Sequence, residues 1–262
     1  MASRDIDTSV AHPARVYDYW LGGKDHFAAD RAAAEEVLQV RPGIRLNVRA
    51  NRAFLARAVR YLAGEAGVRQ FLDVGTGIPS ANNTHEVAHS VDPEARVVYV
   101  DNDPIVLAHA RALLTSASGR TAYIDADLRD TAAILAQAAE TLDFSQPVAV
   151  MLIAVLHLIP DADDPWDVVA RLMRAAAPGS YLVISHPASD VEAPSAAHAA
   201  SRYNDLVASP MRRRSKDEVA RFFAGLDMAE PGLVQLYRWR PADGDPVAPS
   251  SGYGGIARKP RG

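Results

Sequence analysis

The chain has 262 residues, 48% of them hydrophobic, with 28 basic and 32 acidic side chains and a formal charge of −4. At this length one large domain or two small ones bury a core without staples, and the mild negative charge argues against a general nucleic-acid binder. Cysteine is absent, which excludes a disulfide framework, a cysteine nucleophile and thiolate metal centres, and is compatible with a reducing cytoplasm.

The first residues carry alternating charge without the apolar stretch of a secretory signal. The longest apolar run, 148–156, falls far short of the ~20 residues of a transmembrane helix. A cytoplasmic protein away from membranes is expected, and nothing in the sequence sets an oligomeric state. In chain order, 28–40 is rich in helix formers and is stopped by Pro42 and Gly43. A second helix is expected over 44–63, where Val48, Phe54, Leu55, Val59 and Leu62 recur near helical spacing between arginines. From residue 70 the pattern becomes strand, turn, helix. Strands are predicted at 70–74, 96–101, 121–127, 148–156 and 181–185, with helices at 80–90, 105–114, up to 139, and 166–177 between them. Asp103 is the expected N-cap of the second of these helices, with Pro104 at its first helical position. After His186 a looser excursion holds a helix at 195–207, and Ser215 with Glu218 forms a capping box. Stretches 233–239 and 252–259 are expected to close the sheet edge as an antiparallel pair. Five such units imply an α/β fold, a doubly wound and mainly parallel sheet, with 65–262 as the domain and 1–64 as an N-terminal helical cap forming one compact unit with it.

In an open α/β sheet ligands sit at the carboxyl ends of strands, where strand order reverses. The first strand ends in Asp73-Val74-Gly75-Thr76-Gly77, with Ser80 where a dinucleotide fingerprint has its third glycine. This turn reads either as purely structural or as a place where backbone approaches a ligand. Asp101 ends the second strand, where a carboxylate accepts the hydroxyls of a ribose; since one helix cap suffices, Asp103 takes that task. Asp127 ends the third strand and is placed to meet an adenine amino group. An acid-rimmed crevice repels a pyrophosphate and suits a sulfonium and an ammonium, which disfavours a nicotinamide-dependent oxidoreductase.

These residues resemble a known family. D-x-G-x-G at 73–77, VYVDNDP at 98–104, DADL at 125–128 and AVLHLIPD at 154–161 look like the successive motifs of class I S-adenosylmethionine-dependent methyltransferases, whose fold is Rossmann-like. More specifically, RVYDYWLGGKDHFAADR (15–31), NVRANRAFLARAVRYL (47–62), FLDVGTGIPSANNTHEVA (71–88) and GLVQLYRWRP (232–241) are similar to an actinobacterial methyltransferase family first catalogued as DUF574. The resemblance implies S-adenosylmethionine as cofactor, S-adenosylhomocysteine as product and a small-molecule acceptor. It places Gly75, Thr76 and Gly77 beneath the cofactor, Asp101 on its ribose, Asn102 beside its adenine, and Asp127 with Leu128 at the adenine edge. Asp73 is expected to order the glycine turn. Ala154 and His157 come near the reactive sulfur, and the V-L-H of 155–157 lacks the N-P-P-Y type of many nucleic-acid amino methylases, so no nucleic acid is expected. A binding module without turnover is the alternative.

The stretch 17–26 spends three aromatics and two glycines outside the α/β units. It is expected to fold over the cofactor, with Tyr19 and Gly23 against it and Tyr17, His26 and Arg49 nearer the acceptor; the plainer alternative is an anchor for an N-terminal helix. If the acceptor is a hydroxyl, His157 is the expected base and His186 the second choice, against the reading that each only bonds backbone. Arg212, Arg213 and Arg214 read as a solvated stretch rather than a phosphate contact. His85-Glu86-Val87-Ala88-His89 spells H-E-x-x-H, but the helix is needed as a crossover and no third ligand follows, so no metal is expected.

Overall fold

The computed structural model describes residues 6–114, 120–191, 193–207, 209–241, 245 and 250–261. Five parallel strands run in the expected order, β1 (Gln70–Val74), β2 (Arg96–Asp101), β3 (Thr121–Asp125), β4 (Ala149–Ile153) and β5 (Tyr181–Pro187), with β3 stopping two residues short so that Asp127 follows the strand rather than ending it. Three further strands, β6 (Asp227–Met228), β7 (Val234–Gln235) and β8 (Gly252–Arg258), complete the sheet. The order is β3-β2-β1-β4-β5-β8-β6, with β7 beside β8. β8 runs antiparallel to β5, pairing Tyr181 with Arg258 and Pro187 with Gly252. The expected closing strand therefore lies inside the sheet, and β6 and β7 flank it. Most of 233–239 is not strand: the guanidinium of Arg57 takes the carbonyls of Leu236 and Trp239, both at 2.7 Å, and Leu236–Arg238 forms a single tight turn.

β1 and β4 are buried at every position, as central strands covered on both faces should be. Their side chains alternate between two cores. Leu72, Val74, Val150 and Leu152 face Ile134 of α6 (Thr131–Ala138) and Val168 and Leu172 of α7 (Pro165–Ala175). Phe71 and Met151 face Phe54, Leu55 and Val59 of α3 (Ile44–Arg60) and Val87 of α4 (Thr84–Val91). α3 therefore shares the sheet's core. The rest of the expected cap, α1 (Pro13–Leu21) and α2 (Ala28–Val40), packs through Val16, Trp20, Ala34 and Val37 on Tyr203 of α8 (Ala193–Asn204). A buried pair, Arg15 Nε to Asp30 Oδ1 at 3.0 Å, ties α1 to α2. α5 (Pro104–Leu114) follows β2 and α9 (Lys216–Ala220) begins at the Ser215–Glu218 capping box. Among the described residues no helix is long and apolar enough to cross a membrane.

Candidate active site

β1 has β2 on one side and β4 on the other, so strand order reverses there and a crevice opens at the carboxyl ends. A cavity of about 210 Å³ occupies it. Gly75 (φ +75°) and Gly77 (φ +67°) both adopt the left-handed backbone that favours glycine. At Gly75 a Cβ would sit 2.2 Å from Val155 Cγ2, whereas at Gly77 it would meet open space. One glycine lets two strand ends close together, and the other leaves room above the turn.

The turn is ordered differently from expectation. Asp101 Oδ2 accepts the N–H of Gly77 at 2.8 Å, and the carbonyl of Val100 takes that of Gly75 at 2.8 Å. Asp73 turns its carboxylate instead to the Thr84 hydroxyl at 2.6 Å, where burial pushes its pKa up to about 6. Asp101 also accepts the Asp103 N–H at 2.9 Å, and burial raises its pKa against those two bonds. Asp103 caps α5 through the Ile105 N–H at 2.9 Å, as expected, and pairs with His12 Nδ1 at 2.7 Å. Asp127 is not a bare acid. Arg129 clasps it at 2.6 and 2.9 Å, and these hydrogen bonds hold its carboxyl below the ordinary range. Asn102 and Leu128 line the same side.

Beyond β4 the predicted strand stops early. Ala154 takes φ +52°, an unusual conformation for a residue with a side chain, and its N–H bonds Ser185 Oγ at 2.9 Å. Leu156–Leu158 then form a tight turn that brings His157 into the cavity lining. Its Nδ1 is buried without a hydrogen-bond partner, and burial, then the charge of Arg214, lowers its pKa to about 4. His186 is absent from the lining. Its Nδ1–H donates to the Pro187 carbonyl at 3.0 Å, so Nε2 accepts from Arg214 Nη1 at 3.0 Å, and burial holds it far below its ordinary pKa.

Arg214 corrects the reading of 212–214 as solvated. It is completely buried, bonds the Leu156 and Ile159 carbonyls at 2.9 Å each and Asp161 at 2.7 Å, and lies against the rings of Trp166 and Phe222. Arg212 N–H adds a bond to the His157 carbonyl at 2.7 Å. The excursion thus holds the His157 turn from below.

Of the expected site residues, Tyr17, Asp73, Gly75, Thr76, Gly77, Asp101, Asn102, Asp127, Leu128, Ala154 and His157 meet around this one cavity. Tyr19, Gly23, His26, Arg49 and His186 do not. The Tyr19 hydroxyl donates to Glu35 on the outside of α1. Gly23 leaves room for Asp18: a Cβ there would lie 1.9 Å from the carboxylate. His26 Nε2 faces the Gly23 carbonyl at 3.2 Å, and Arg49 is exposed on α3. The sequence reading missed His12, Trp20, Asn51, Arg52, Tyr203 and Met211, all in the lining. Asn51 had a signal, being a polar residue on the apolar face of α3 between Val48 and Leu55. The H-E-x-x-H residues serve the scaffold: Glu86 accepts the Asn83 N–H at 2.9 Å and His89 Nε2 meets the Ala95 carbonyl at 2.9 Å. Among the described residues no group of three His, Asp or Glu is set to hold a metal ion.

The model of a family described as S-adenosyl methyltransferase matches residues 1–260. A DUF574 family protein from Streptomyces avermitilis is 45% identical over 98% of this chain and 100% of its own, with a TM-score of 0.93. A protein described as a candidate methyltransferase from Thermobifida fusca is 43% identical over 97% of each chain, with a TM-score of 0.90. Human N-acetylserotonin methyltransferase, solved with S-adenosylmethionine, shares the fold at 15% identity and a TM-score of 0.53, over 94% of this chain and 62% of its own. Among curated proteins none matches. With a family model spanning nearly the whole length and two relatives above 40% identity, this chain belongs to the S-adenosyl methyltransferase family, a Rossmann-like class I fold whose cofactor is S-adenosylmethionine.

Proposed function

We propose that this chain catalyses methyl transfer from S-adenosylmethionine to a small-molecule acceptor, with both held in the cavity at the ends of β1 and β4. The residues present suit the cofactor. Space is open above Gly77, and a carboxylate with two accepted N–H bonds keeps lone pairs for ribose hydroxyls at Asp101. Asn102, Leu128 and the Arg129-clasped Asp127 would hold the adenine side, and Gly75 with Gly77 would pass beneath the rest. Bound S-adenosylmethionine supplies an electrophilic methyl group on a sulfonium.

The chain's own part is alignment and exclusion of water. Side chains of α1, α3 and α8 line one side of the cavity, which favours an acceptor small enough to lie against them. His157 is neutral at ordinary pH, and with its pKa near 4 it is a weaker base than one poised near working pH. The expectation of a general base therefore narrows: His157 orients the acceptor through its free Nδ1 rather than storing its proton. One observation carries this reading, namely that the glycine turn, Asp101 and His157 line the same cavity.

Calorimetric titration with S-adenosylmethionine, S-adenosylhomocysteine and NAD tests the first half. Saturable binding of the two sulfur nucleosides but not NAD is expected; binding of NAD alone overturns it. S-adenosylhomocysteine release in the presence of cell-extract small molecules tests turnover, and tight binding with no release from any fraction would leave a binding module.

A further inference from the structure

A hydrogen-bonded chain on the β4–β5 side of the cavity defines what an acceptor must present. Ala154 N–H donates to Ser185 Oγ at 2.9 Å, and the Ser185 hydroxyl donates to Asn51 Oδ1 at 2.5 Å. Asn51 Nδ2 donates to the Tyr17 hydroxyl oxygen at 2.9 Å, and the Tyr17 O–H donates to the Val48 carbonyl at 3.2 Å. Each link fixes the next. A hydroxyl has one donor and two lone pairs, and an amide nitrogen has two donors. The Tyr17 O–H and one of its lone pairs are spent, leaving one acceptor position. Asn51 Nδ2 has one N–H left. Both residues line the cavity, so they display an acceptor beside a donor.

The surroundings narrow the ligand further. Trp20, Leu55, Leu158, Tyr203 and Met211 supply aromatic and aliphatic lining on this side. The charged groups of the lining are engaged on the β1–β3 side: Arg129 holds Asp127, the Asp73 carboxylate takes Thr84, Asp101 takes the Gly77 and Asp103 N–H groups, and Arg52 donates to the carbonyls of Ala81 and Asn82 at 3.1 Å. A cationic amine or a carboxylate set among Trp20, Leu55, Leu158, Tyr203 and Met211 would lose water and find no counter-charge on those side chains.

Resting on the methyltransferase reading, we propose that the acceptor is an uncharged planar aromatic molecule with a hydrogen-bond donor beside an acceptor on one edge, the donor meeting Tyr17 and the acceptor meeting Asn51. A cyclic lactam or a ring hydroxyl next to a ring carbonyl has this edge. His157, just beyond the end of β4, lines the same cavity.

The test titrates S-adenosylhomocysteine-loaded protein with 2-quinolone, its fully saturated bicyclic lactam, quinoline, benzylamine and benzoate. The quinolone is expected to saturate with a Kd at least about ten-fold below those of the others. In Tyr17→Phe its affinity should fall about five-fold, while that of quinoline, which has no donor, stays unchanged; a general loss of packing would weaken both. Equal or tighter binding of the saturated lactam, benzylamine or benzoate, an unmoved quinolone affinity in Tyr17→Phe, or no saturable quinolone binding to the loaded protein each overturns the proposal. Failure of S-adenosylhomocysteine to bind in the loading step sinks the methyltransferase reading instead, so the two failures are distinguishable.

Discussion

The two halves of the cavity are built by different means. At the ends of β1, β2 and β3 the shape is set by backbone at the turn, with two left-handed glycines, N–H groups held by Asp101 and a helix cap at Asp103, and side chains follow each strand end in turn. At the ends of β4 and β5 it is set by side chains from distant segments, joined by the Tyr17–Asn51–Ser185 chain and braced by Arg214. A surface made of backbone tolerates little change in sequence, because its shape depends on φ and on the absence of a Cβ. One made of side chains is altered by single substitutions without moving the strands. The first arrangement suits a cofactor of fixed shape and the second a ligand recognised by its side-chain contacts.

The sharpest way to break this contrast is at the glycines. Gly75→Ala must push Val155 away from a 2.2 Å contact in a backbone region that already disfavours alanine. Calorimetry should find no S-adenosylhomocysteine binding, and thermal melting should show a lowered Tm. Gly77→Ala meets no atom within 4 Å, so only the left-handed conformation, about 1–2 kcal/mol, stands against it. Equal damage at both positions would contradict the distinct tasks assigned to them.

Next in size is Arg214→Met. It strips partners from the Leu156 and Ile159 carbonyls and from His186, and about 3 kcal/mol of stability should be lost in urea unfolding. Because the charge of Arg214 helps to hold the His157 pKa down, the same variant should titrate His157 at higher pH by NMR. A stable variant with unchanged titration would mean that the excursion does not brace the turn.

Asp101→Asn sharpens the cofactor side. Its single amide oxygen cannot serve both Gly77 and Asp103 N–H and still take a ribose hydroxyl. S-adenosylhomocysteine affinity should fall about ten- to a hundred-fold in calorimetry, whereas Tyr17→Phe leaves that affinity within a factor of about two.

The same contrast explains what could be read from the sequence. The β1–β3 half was legible because each apolar run ends at its ligand-facing residue, so spacing along the chain maps directly onto the sheet edge. Even there, which carboxylate orders the glycine turn was not legible, since Asp73 and Asp101 differ only in which way the side chain turns. The other half depends on how helices dock. Tyr17 and Tyr19 are two residues apart and therefore occupy different faces of α1; once Tyr17 faces the cavity, Tyr19 faces Glu35. Gly23 looks like a ligand glycine and is a space for Asp18. Arg214 sits in a run of three arginines that resembles a solvated stretch, and only the fold brings two carbonyls, His186 and Asp161 around it.

The smallest expected effect is the most diagnostic, because the two halves respond to pH with opposite sign. His157 has a folded pKa of about 4 against an ordinary 6.5, and His186 moves the same way. Between those values the unfolded chain binds protons that the folded chain refuses, so their contribution is present above pH 6.5 and lost as pH falls toward 4. Asp73 has a folded pKa of about 6 against 3.8, and Asp101 is raised too. There the folded chain keeps protons that the unfolded chain releases, so the contribution is present below pH 3.8 and lost as pH rises through 6. In urea unfolding between those limits, His157→Gln should flatten the loss of stability on acidification, and Asp73→Asn should steepen it. Slopes that move in the same direction in both variants would show that the two burials are not independent, and the division of the cavity into a backbone half and a side-chain half would then have no electrostatic counterpart.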